Sequence, residues 1–127
     1  MAITGFGMTR GKTSLLEIES TTNQSIIGII TNKKIMNNEY LWYYLQKQYW
    51  IFRNFAQGSQ QPGLNLEIVK NFQIIKPSNI LEQQKIASIL SNVDTKIQSK
   101  EQYKEKLQRV KTSLMQKLLT GEVRVAV

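Results

Sequence analysis

Residues 79–120 constrain this chain more than any other stretch. Apolar side chains recur at Ile86, Ile89, Leu90, Val93 and Ile97, then at Tyr103, Leu107, Val110, Leu114, Leu118 and Leu119. The steps 86-90-93-97 and 103-107-110-114 alternate fours and threes, the seam of a coiled coil. Between the two runs, around Ser99–Gln102, the seam would pass through Lys100. Such a phase slip locally re-winds a supercoil. Asn79, with Glu82 three positions on, has the form of a capping box, and Thr120-Gly121 supplies a C′ glycine. At about 1.5 Å per residue, one helix from Asn79 to Thr120 spans roughly 60 Å. The 78 residues before it can cover only part of such a stripe. A second long helix is the expected partner, with Ile86, Leu90, Val93, Ile97, Leu107, Val110, Leu114 and Leu118 as the pairing interface.

The chain before this helix reads as strands, turns and one aromatic helix. Met1–Thr4 is short and apolar, Gly5–Gly11 holds three glycines, and Leu15–Glu19 alternates like a half-buried strand. Ser25–Thr31 (SIIGIIT) reads as a buried strand. From Asn38 to Ala56 the period becomes helical, with Leu41, Tyr44, Leu45, Tyr49, Phe52 and Phe55 on one stripe, Asn38 as N-cap and Gly58 as the stop. Tyr40, Trp42, Tyr43 and Trp50 thicken that face. Aromatics this dense suit stacking on bases, but a small domain with few other large side chains needs them first as core. Gln57–Gly63 is a polar loop, Leu64–Lys70 a short helical turn, and Phe72–Lys76 a last strand ended by Pro77. The expected class is α+β: a small mixed half-domain of strands and an aromatic-rich helix (residues 1–77), one long C-terminal coiled-coil helix (78–121), and a tail (122–127).

Several chemistries are excluded. With no cysteine, disulfides and thiolate metal sites are impossible; with no histidine, the usual general base and imidazole ligand are gone. No apolar run approaches the length of a membrane span, and Met1–Met8 lacks the basic leader of a signal peptide. The expectation is a soluble cytoplasmic protein. The net charge of +8 suits a polyanionic partner, since each neutralised phosphate releases counterions.

Gly5–Thr13 (GFGMTRGKT) invites comparison with the phosphate-binding loop G-x-x-x-x-G-K-[ST]. The first glycine of that motif should stand where Phe6 is, and Leu15–Glu19 is no convincing helix to follow it. A nucleotide-hydrolysing enzyme would rest on GKT alone. A Gly-rich turn between two strands, with Arg10 and Lys12 exposed near its tip, accounts for the same residues.

The order of elements resembles the specificity subunit of type I restriction-modification systems. Four stretches carry the resemblance: AITGFGMTRGK (residues 2–12), TTNQSIIGII (21–30), EYLWYYLQ with AQGSQQPGLN (39–46 and 56–65), and FQIIKPSNILEQQKIASILSNVDTKIQ leading to KTSLMQKLLTGEVRV (72–98 and 111–125). The last is the most specific.

The resemblance implies a DNA-reading scaffold without catalysis of its own. Family members carry two target recognition domains, each reading half of a split site, and two long antiparallel helices that set their separation. Methyltransferase subunits dock on this frame and methylate adenine, and a restriction subunit joins them. S-adenosylmethionine would bind the methyltransferase partner, so no cofactor is expected in this chain. Residues 1–77 match part of one recognition domain and the long helix matches one spacer, as in a truncated or split subunit. Half-subunits of this kind pair through the spacer, giving a homodimer or a pairing with another specificity half. Candidate DNA contacts are Thr9, Arg10 and Lys12 on the Gly-rich turn and Ser59, Gln60 and Gln61 in the polar loop, residue types that pair with bases and phosphates. The alternative is a fragment that reads no DNA and only dimerises, or docks on a methyltransferase or an intact specificity subunit, through its helix.

Overall fold

The computed structural model of the chain describes residues 1–55 and 63–126. It contains three short strands, β1 (Ala2–Thr4), β2 (Thr13–Ser14) and β3 (Ile26–Gly28), and four helices, α1 (Asn38–Lys47), α2 (Tyr49–Phe55), α3 (Leu66–Asn71) and α4 (Ile80–Leu119). The architecture is α+β. The chain divides into two compact units, Met1–Ser88 and Ile89–Val127.

In the first unit the strands form one antiparallel sheet in the order β2-β1-β3. Ile3 on the central strand lies opposite Thr13 on one side and Ile27 on the other, and is fully buried. Met1, Leu41, Leu45, Phe52 and Leu64 complete the core around it. Phe52 meets Phe72 with ring centroids 4.4 Å apart, so the aromatics do supply core where they face inward. Trp50 does not: it is 67% exposed.

Both outer strands are shorter than the periodicity suggests. β1 offers only three residues to pair with, so β2 is Thr13–Ser14 and the expected strand at Leu15–Glu19 falls outside the sheet. Leu15 still packs on the core, while Ile18 points to solvent. The expected buried strand at Ser25–Thr31 contracts to Ile26–Gly28 and is only half-buried. It is an edge strand, and water has access to one side of it.

The aromatic helix is two helices. Asn37, not Asn38, caps the first: its backbone is extended and its side chain accepts the Tyr40 N–H at 2.8 Å. The helix breaks at Gln48, whose N–H is shared between the Tyr44 and Leu45 carbonyls, and α2 follows directly. Leu41, Leu45 and Phe52 stay on the buried side across the break. The expected stop at Gly58 lies outside the described residues. Asn65 caps α3 by accepting the Ile68 N–H at 2.8 Å.

Phe72–Lys76 leaves α3 with an extended backbone at Phe72 and joins no sheet. Two tyrosines of α1 take the place of a neighbouring strand: the Ile75 N–H donates to the Tyr44 hydroxyl and the Tyr40 hydroxyl donates to the Ile75 carbonyl, each at 3.3 Å. Burial, with Tyr44 and Glu82 nearby, pushes the Tyr40 hydroxyl above its ordinary pKa.

α4 starts after Asn79, which supplies the side-chain cap of the expected capping box. The Asn79 side chain accepts the Leu81 N–H at 2.9 Å. After forty residues the helix is closed by the Gly121 N–H on the Leu118 carbonyl and the Val123 N–H on the Lys117 carbonyl. Among the described residues no helix is long and apolar enough to cross a membrane.

Candidate functional surfaces

The Gly-rich segment is the loop of the β1–β2 hairpin. The Thr4 N–H donates to the Lys12 carbonyl and the Gly11 N–H to the Thr4 carbonyl, closing its base. Within it, the Arg10 N–H returns to Gly7 and the Lys12 N–H to Thr9, making two overlapping turns. Gly11 has φ +84°, and a Cβ there would lie 3.2 Å from Cβ of Phe52. Glycine therefore lets the hairpin sit directly on α2. Gly11-Lys12-Thr13 leads into a strand and not a helix, so the backbone cradle of a phosphate-binding loop is not built here.

Thr9 and Lys12 are exposed, as expected for contact residues. Arg10 is not at the tip. It is half-buried, and its Nη2 donates to the Arg53 carbonyl at 3.2 Å. Arg53 reciprocates: its Nη1 donates to the Met8 carbonyl at 2.9 Å and to the Tyr49 hydroxyl at 2.6 Å. The last turn of a helix has carbonyls without intrahelical partners, and a guanidinium with several donors is well suited to meet one. Hence Arg10 turns inward.

Ser59, Gln60 and Gln61 lie outside the described residues. The segment just after them adjoins the hairpin, since the Leu64 N–H donates to the Gly5 carbonyl at 2.8 Å. The Phe6 ring lies so close to Gly63 that a Cβ there would come within 2.3 Å of it.

The second surface is the seam of α4. Ile86 is half-buried, but Leu90, Val93, Ile97, Leu107, Val110, Leu114 and Leu118 are all exposed, at between 38% and 54%. Leu107, Val110, Leu114 and Leu118, with Met115 and Leu119, line a shallow apolar groove along one helix face. Over residues 96–117 the helix carries seven basic residues, Lys96, Lys100, Lys104, Lys106, Arg109, Lys111 and Lys117, to two acidic ones, Glu101 and Glu105.

A third feature was not expected from the sequence. Gln83 is fully buried at the root of α4. Its Oε1 accepts the Asn37 N–H at 2.9 Å, and its Nε2 donates to the Pro77 carbonyl at 2.8 Å and the Ile35 carbonyl at 3.2 Å. One side chain thus joins the N-cap of α1, the loop before it and the entry to α4. Its signal was its place four residues before Ala87, also fully buried, so that a glutamine stands on the inward stripe.

A family model described as the type I restriction modification DNA specificity domain matches residues 3–109. The chain belongs to this family. The match takes in the hairpin, the aromatic helices, Gln83 and the seam as far as Leu107, leaving Val110, Leu114 and Leu118 beyond its end. The chain is 30% identical over 104 residues to the specificity subunit of the type I restriction enzyme MjaVIII of Methanocaldococcus jannaschii, covering 80% of this chain and 24% of that protein. A second protein of that organism, described as the specificity subunit of type I restriction enzyme MjaX, is 26% identical over 115 residues, covering 91% of this chain and 27% of its own length. The chain therefore spans about a quarter of each of these type I specificity subunits.

Proposed function

We propose that this chain is a non-catalytic DNA-recognition module of a type I specificity subunit. Residues 1–77 form part of a target recognition domain that contacts half of a split site. Residues 78–121 form the spacer and pairing helix, and residues 122–127 a tail. Thr9 and Lys12 contact DNA from the hairpin, with Ser59, Gln60 and Gln61 from the polar loop and Arg10 as the brace behind. Methyltransferase subunits dock on the module and supply the S-adenosylmethionine chemistry, and a restriction subunit completes the assembly. The observation that carries this reading is family membership joined to an uncovered seam: a specificity-domain chain exposes Leu90 through Leu118 with nothing over them among the described residues. An apolar stripe of this period is stable in water when it pairs, and a second copy or another specificity half provides the matching stripe.

The second reading is a fragment that pairs or docks through its helix and reads no DNA. Its support is the quarter-length match to its relatives. Mobility shifts of the chain on varied duplexes, with and without a methyltransferase subunit and across a salt series, separate the two. Preference for one duplex supports recognition. A salt-dependent shift that is identical for every sequence leaves only the second reading.

A further inference from the structure

One residue of the hairpin has no role in folding that its surroundings account for. Met8 is 89% exposed. A single exposed methionine on a slack loop carries no meaning, but this backbone is held from several directions. The Met8 carbonyl is gripped by Arg53, Arg10 returns to the Arg53 carbonyl, and Gly11 packs on Phe52. Gly5 donates to the Ser25 carbonyl at 2.7 Å and accepts from Leu64 at 2.8 Å. Arg53 itself is steadied over the Tyr49 ring, 5.9 Å from its centroid. Two arginines and one helix, α2, thus hold a turn on which the Met8 side chain buries almost nothing.

We infer, resting on the DNA-recognition reading above, that Met8 is the base-contacting residue of this hairpin. Its thioether enters the major groove and packs on the C5-methyl group of thymine, the apolar feature that a base edge presents there. Lys12, exposed at the end of the same turn, takes a neighbouring phosphate. Arg10 has the side chain expected to read guanine, yet it is committed to the brace. The contact is apolar because the polar donors nearby hold the turn together. A flexible, unbranched side chain on a fixed backbone can settle against a methyl group without demanding one exact approach.

The test uses the full chain and a duplex obtained by binding selection from a randomised pool. Thymines in that duplex are replaced one at a time by deoxyuridine, which removes only the methyl group. The wild-type chain loses about tenfold in affinity at one position. Met8→Gln binds the selected duplex about tenfold more weakly and is indifferent to that replacement, while Met8→Leu retains the sensitivity. Lys12→Ala weakens binding to all duplexes alike and lowers the salt slope by about one. Arg53→Met keeps the methionine but loosens the turn, so discrimination falls with little change in the slope. If the wild type ignores every deoxyuridine, or Met8→Gln keeps the wild-type response, the inference is wrong and the functional reading stands. If the wild-type chain prefers no duplex at all, both fall together.

Discussion

The two ends of α4 invert the usual rule about what a protein buries. In the root, Ile80–Ser88, the residues lost from water are Gln83 and Ala87. Beyond Ser88, valines, isoleucines and leucines repeat at coiled-coil spacing and stay exposed. A buried amide is costly unless satisfied, and Gln83 meets three backbone groups that would otherwise lack partners. An exposed leucine seam is stable only in assembly. The root is therefore specified by polar complementarity within one chain, while the remainder presents the apolar stripe that the proposed pairing would cover.

The sharpest way to break this contrast is Gln83→Leu. The side chain keeps similar bulk but strands the Asn37 N–H and the Ile35 and Pro77 carbonyls. The expected loss is about 3 kcal/mol, at about 1–3 kcal/mol per stranded buried group with partial recovery by water. Urea unfolding followed by tryptophan fluorescence measures it; a loss below about 1 kcal/mol would mean that the joint contributes little. The complementary change, Leu107→Glu with Leu114→Glu, leaves the first unit's unfolding within about 0.5 kcal/mol because both residues are exposed. It weakens self-association about thirtyfold, or about 2 kcal/mol, in sedimentation equilibrium. Unchanged association would place pairing on another surface.

The smallest effect is alkaline. The fold favours the neutral Tyr40 hydroxyl, whose pKa is raised above 10.0 first by burial and then by Tyr44 and Glu82. Its contribution is complete below the unfolded value and is lost as pH rises through the higher folded value. Melting temperature should fall more steeply from pH 9.5 upward in the wild type than in Tyr40→Phe. Parallel curves would show that the Tyr40 ionisation is not coupled to folding.

What could be read in advance divides along physical lines. The long helix was legible because its cap, seam and closing glycine are local, repeated signals. The inward stripe Leu41, Leu45 and Phe52 was legible for the same reason, although the break at Gln48 that leaves its phase intact was not. Strand lengths were misread because pairing depends on the partner: Leu15–Glu19 alternates well but finds no more of β1 to lie against. Phe72–Lys76 has strand-like composition, yet its polar groups at Ile75 are met by tyrosine hydroxyls from a helix 31 and 35 residues away in sequence. Arg10 looked outward because sequence shows its charge and not the helix end that receives it. Gln83 was hidden because a glutamine near a helix start ordinarily faces water. The misses at Ile75, Arg10 and Gln83 are long-range polar contacts, the kind of interaction that leaves no period in a sequence.

The brevity of the sheet has a consequence in time. With strands of two or three residues, few amides are shielded by ladder bonds on both sides. Deuterium should therefore enter β2 and β3 early, while the amides of α1 and of the first turns of α4 exchange only when the whole unit opens. The β1–β2 hairpin would then hang from a sheet that breathes, kept in place by the slower helices behind it.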